Sequence, residues 1–98
     1  RLLMPAGTRL GDIGTGHGCF PPRPNNQASP NVFINNIPAH RQSDSWSTHC
    51  CGPTCHSSTL AQGSSTVFTN GLQQGRIGDP VACGSAVAQG SPNVFVGG

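Results

Sequence analysis

A short pattern occurs three times in this chain, and any fold must accommodate it. Arg-x-x-Asp appears as "RLGD" from Arg9, "RQSD" from Arg41 and "RIGD" from Arg76, at spacings of 32 and 35 residues. After each opening comes a second repeated segment: "SPNVFINN" from Ser29, "SSTVFTNG" from Ser64 and "SPNVFVGG" from Ser91. Repeats of ~20–50 residues mark units that cannot bury their faces alone and must pack on one another. The repeat divides the chain into units 9–40, 41–75 and 76–98, all in one domain. Residues 1–8 are read as an N-terminal lead-in, and its first three residues, "RLL" ahead of Met4, are left out of the fold reasoning.

Each unit reads as β structure. "NVFIN", "TVFTN" and "NVFVG" are short β-branched and aromatic runs, bounded by Ser-Pro or Ser-Ser before and Asn or Gly after. Asn35-Asn36 and Asn70-Gly71 are tight-turn dipeptides that tolerate positive φ, so "IPAHR" and "LQQGR" are expected to run back antiparallel. With 14 Gly and 9 Pro, the chain leaves no room for a helix of useful length. The expected class is all-β: three hairpin-like units around a pseudo-threefold axis. On that axis Phe33, Phe68 and Phe95 occupy matching positions and are expected to form one apolar layer. Losing a buried Phe would cost about 3–5 kcal/mol.

Leu, Ile, Val and Phe together number 19 of 98 residues. A domain this small buries only about 60–70% of its surface, so a metal, disulfides or a partner must help. The formal charge is +2, with no Lys, Glu or Tyr. Five Arg do not make a nucleic-acid stripe, and no run of ~20 apolar residues is present to span a membrane. The five cysteines, Cys19, Cys50, Cys51, Cys55 and Cys83, are an odd number without an export signal. They are read as reduced thiols, some of them metal ligands.

The acidic residues are Asp12, Asp44 and Asp79, all at one position of the repeat. An Asp at such a junction accepts backbone N–H bonds, so none is left for a paired-carboxylate acid/base site. Counting forward from each Asp leads to His17, His49 and Cys83. Three zinc-capable side chains at one repeat position converge if the units surround an axis. A tetrahedral site wants a fourth ligand.

His56 is the preferred fourth ligand: a strand ending at His49, a turn, and a strand returning from His56 bring both to one end. His40 is the alternative, although an extended run would carry it up to ~30 Å from His49. Cys50, Cys51 and Cys55 are further candidates. Four protein ligands without a spare carboxylate describe a closed, structural site. Zinc is the expected ion, and imidazole also suits iron. No oxyanion loop accompanies a Cys–His pair, and "GTGHG" opens no helix to cradle phosphate. The expectation is therefore no enzyme activity and no small-molecule substrate.

The segments "GD…HG…SPNVFINN" and "IPAHR" resemble a PAAR-repeat protein over residues 9–98. "HRQSDSW", "LAQGSSTVF" and "RIGDPVACGS" are most similar to the central-spike tips of T4-like contractile phages. The resemblance implies a cone of three β units whose blunt base sits on a trimeric β-helical spike. It also implies a sharp tip held by zinc through three His and one Cys, which here are His17, His49, His56 and Cys83. A single pseudo-threefold chain could cap all three open strand ends of such a spike. The base is expected to present Val32, Phe33, Val67, Phe68, Val94 and Phe95, with Ile34 and Val96 shared with the core.

The implied function is a structural, membrane-piercing tip in a virion, at the end of a tail baseplate spike made in the host cytoplasm. It would touch the target cell envelope only transiently. The alternative is an adaptor docking a separate effector or cargo chain onto the spike of a related secretion system. Because copy three stops at Gly98, a fused effector domain is not expected.

Overall fold

The computed structural model describes residues 4–97; Arg1, Leu2, Leu3 and Gly98 lie outside the described residues. Among those described there is no helix, and none long and apolar enough to cross a membrane. The domain is the expected all-β, cone-shaped arrangement of three units.

The Asn-Val-Phe segments form tight hairpins. β3 (Phe33–Ile34) pairs with β4 (Ile37–Pro38), and β7 (Phe68–Thr69) with β8 (Leu72–Gln73), both antiparallel. Their turns have both central residues at positive φ, Asn35 and Asn36 at 55° and 64°, Asn70 and Gly71 at 54° and 77°. That is the turn whose twist matches paired strands.

The third hairpin takes its returning strand from the other end of the chain. Ala6 bridges Phe95 antiparallel. The Val96 amide donates to the Pro5 carbonyl (2.8 Å) and the Gly7 amide to the Val94 carbonyl (3.0 Å). "PAGTR" at residues 5–9 is thus the counterpart of "IPAHR" and "LQQGR". Residues 5–8, read above as a lead-in, are part of the third unit. On the axis the three counterparts close a backbone ring: Thr8 donates to Gly75 (3.0 Å), Gly75 to His40 (2.9 Å) and His40 to Thr8 (3.1 Å).

Arg-x-x-Asp is a turn with its own clamp. The Asp amide returns to the Arg carbonyl at 3.0–3.1 Å in all three copies. The residue before the Asp has positive φ: Gly11 at 85°, Ser43 at 75° and Gly78 at 93°. Each carboxylate accepts from the Arg backbone amide and from its guanidinium. The same Arg then reaches the turn of the next hairpin, Arg9 to Asn35, Arg41 to Asn70 and Arg76 to the Gly97 carbonyl. Ser91, Ser29 and Ser64 donate to those same three residues. The units are therefore locked cyclically by polar contacts rather than by a thick apolar core.

The expected layer of Phe rings is not formed. Phe33, Phe68 and Phe95 are 54%, 56% and 54% exposed, and Val32, Val67 and Val94 beside them are also exposed. Strand alternation turns the next residue inward instead, so Ile34, Thr69 and Val96 are buried. The axis itself is taken by Thr8, His40 and the main chain of Gly75, where an added Cβ would lie 2.7 Å from Thr8 Cγ2.

The other half of each unit forms the tip. β1 (Ile13–Gly14) pairs with β2 (Arg23–Pro24), and β5 (Ser45–Cys51) with β6 (Thr54–Thr59); copy three contributes the Pro80–Ala86 bridge. The core here is small: Trp46, Leu60, Val81 and Val87, with Cys83 packed against it. Trp46 and Gly14 both stand two residues after their Asp. A Cβ on Gly14 would come within 2.7 Å of the Trp46 ring, so one copy's glycine makes room for another's indole.

Four cysteines correct the expectation of reduced thiols. Cys50 pairs with Cys55 and Cys19 with Cys51 as disulfides, while Cys83 is free. The cause is the length of the tip hairpin. β5 and β6 continue past the histidines to a turn at Gly52 and Pro53, which sets Cys50 opposite Cys55 with Cα atoms 4.1 Å apart.

Candidate metal centre

The tip hairpin places two histidines opposite each other, because His49 on β5 is the cross-strand partner of His56 on β6. His17 arrives on the turn after β1, where its backbone pairs with Phe20 in both directions (3.0 and 2.9 Å). Cys83 comes from copy three. Ligand atoms of these four residues all lie within 4.8 Å of one another.

The imidazoles point their Nε2 atoms at a common centre. His17 and His49 lie 3.1 Å and 2.7 Å from the Nε2 of His56. His49 Nδ1 faces the Pro21 carbonyl at 2.8 Å. A carbonyl only accepts, so Nδ1 carries the proton and Nε2 is left with its lone pair directed inward. Burial, then the neighbouring His49, His17 and Arg23, push His56 below the ordinary imidazole pKa, toward its lone-pair form. Burial opposes ionisation of the Cys83 thiol, but hydrogen bonds from Ser85, the Arg23 charge and a hydrogen bond from Ser58 outweigh it and lower its pKa.

Three clustered Nε2 atoms and an ionisable sulfur form a donor set that suits a cation. Tetrahedral zinc, with bonds of about 2.0–2.3 Å, needs ligand atoms only about 3.3–3.8 Å apart. The four residues fit a metal ion.

His40 is not in this group. It lies fully buried on the axis, its Nδ1 donating to the Gln27 carbonyl (2.7 Å), its ring edge-on to Trp46 at 5.2 Å. Cys50, Cys51 and Cys55 do not join either, because they are in disulfides. Two neighbours were missed by sequence reasoning. The Phe20 ring packs against His17, His49 and His56 with centroids 4.9, 5.0 and 4.2 Å away. Arg23 donates to the Cys83 sulfur at 3.2 Å. The signal for Arg23 was its place outside the Arg-x-x-Asp series; Phe20 carried none.

The PAAR motif matches residues 10–89, which hold all four candidate ligands and two of the three hairpins. The chain belongs to the PAAR motif family. PAAR domains are structural spike tips of contractile injection and secretion machines. Two curated relatives from Pseudomonas aeruginosa, an NAD(P)(+) glycohydrolase toxin, Tse6, and a (p)ppApp synthetase toxin, Tas1, are each 36% identical over 74 residues. The match covers 69% of this chain and 17% of each toxin, so the chain spans about a sixth of the length of the relatives it matches.

Proposed function

We propose that this PAAR domain is the metal-stapled tip of a contractile injection machine, seated by its base on a trimeric β-helical spike. The observation that carries this reading is the threefold set of exposed apolar side chains, Val32, Phe33, Val67, Phe68, Val94 and Phe95. Six large apolar residues left in water at equivalent positions of a cyclic fold mark an interaction surface, and a threefold partner matches them.

Zinc in the His17, His49, His56 and Cys83 site would act as a cross-link, drawing segments from all three copies to one point. Structural zinc supplies apparent binding energies of about 10–16 kcal/mol in small peptides, which suits a tip with four core side chains. Its role is mechanical: the point stays folded while driven against a cell envelope.

A second reading is favoured by the two toxin relatives. The same tip would then carry or dock an effector in a bacterial secretion system rather than end a phage tail. Co-purification from producing cells tests both. Recovery of a trimeric spike alone supports the plain tip, and a spike with an additional cargo chain supports the adaptor. Failure to bring down any spike protein rejects the proposal.

A further inference from the structure

We propose that Arg23 is the outer-sphere partner of the Cys83 sulfur, a positioning residue that holds this ligand and tempers its electron donation to the metal; the inference rests on the metal reading above. Arg23 is 5% exposed, and burying a guanidinium is costly unless it is paired. The chain has only three acidic side chains, and each is held in an ion pair by Arg9, Arg41 or Arg76. No side-chain carboxylate remains for Arg23.

Its contacts show what takes that place. Nε donates to the Ser47 carbonyl (3.3 Å), and Nη1 to the Thr15 carbonyl (3.4 Å) and Ser85 Oγ (3.0 Å). Nη2 donates to Cys83 Sγ at 3.2 Å. Among these acceptors only the sulfur can bear a negative charge. Ser85 Oγ itself lies 3.7 Å from that sulfur, so Arg23 reaches Cys83 both directly and through Ser85. The guanidinium is held from behind by the Trp46 ring, 5.1 Å from its centroid.

A coordinating thiol is deprotonated outright, which gives the buried cation its counter-charge. Outer-shell hydrogen bonds orient a ligand and tune its donation, and losing one typically costs 10–100-fold in metal affinity. A donor aimed at the sulfur lowers the energy of its lone pairs. Removing it should shift sulfur-to-metal charge transfer to longer wavelength.

The test loads wild type and Arg23→Met with cobalt(II) and compares their sulfur-to-cobalt absorption bands and cobalt release to a competing chelator. The expected result is a band moved to longer wavelength and roughly 10–100-fold easier release. An unmoved band overturns the proposal whatever the release rate, because simple loosening of the fold would change affinity alone. Should Arg23→Met not fold, wild type loaded with cadmium-113 decides by NMR. Coupling from the metal through sulfur to the Arg23 Nη2 protons supports the bond, and its absence from a resolved, slowly exchanging signal refutes it. Wild type that takes up neither metal defeats the metal reading and this proposal together. Wild type that loads normally beside an unchanged variant defeats only the role of Arg23.

Discussion

Phe68→Ser separates a base that docks from a base that merely packs. Phe68 is 56% exposed, and a Phe side chain offers about 150–250 Å², so roughly 100 Å² of this ring faces water in the free domain. Covering that area against a partner at ~25 cal/mol per Å² contributes about 2.5 kcal/mol, or about 70-fold in Kd. The already buried share is worth at most about 2 kcal/mol by the same measure, less than the ~3–5 kcal/mol of a fully enclosed Phe. Phe68→Ser should therefore leave the domain folded, with a melting temperature down by roughly 10 °C, and weaken spike binding by one to two orders of magnitude. Calorimetric titration against the purified spike, with a thermal melt of each partner, measures both. Phe33→Ser and Phe95→Ser should match it, since their exposures do. Contacts of this kind are not screened by salt, so retention on a sizing column should survive 1 M salt. A change in affinity below about threefold, or dissociation at moderate salt, would refute the apolar-base reading.

Metal analysis of chelator-free preparations should find one zinc or iron per chain; His56→Ala should lose it and His40→Gln should keep it, while a metal content near zero would reject the site. Ser43 stands at a φ of 75° where its counterparts are Gly11 and Gly78, so Ser43→Gly should raise stability by about 1 kcal/mol in denaturant unfolding; a loss would show that its side chain matters more than its backbone. His40 sets an acid limit, because burial lowers its pKa despite the Gln27 hydrogen bond and the nearby Asp44. Above pH ~6.5 both folded and unfolded His40 are neutral; below it only the unfolded chain readily takes the proton, so stability falls with pH by up to ~1.4 kcal/mol per unit. Melts from pH 7 to 5 should show a shallower fall for His40→Gln than for wild type, and equal slopes would exclude His40 as the cause.

Much of this was legible because the repeat is written in residues with strong local preferences. Asn-Asn and Asn-Gly demand the hairpin turn, Arg-x-x-Asp contains both halves of its own clamp, and an Asp followed four or five residues later by His or Cys marks a position that threefold packing must gather. Those are short-range instructions, and short range is what a linear pattern conveys. Tertiary structure decided whatever depended on partners far apart in the chain. The third hairpin borrows residues 5–8 because Val94 and Val96 need strand partners, and no local signal connects the two ends. The Phe rings face outward because the axis has room only for Thr8, His40 and the main chain of Gly75. Cys19 finds Cys51, and Arg23 finds Cys83, only after three separate turns have folded onto one point, since a side chain's charge partner is set by proximity in space and not by spacing along the chain.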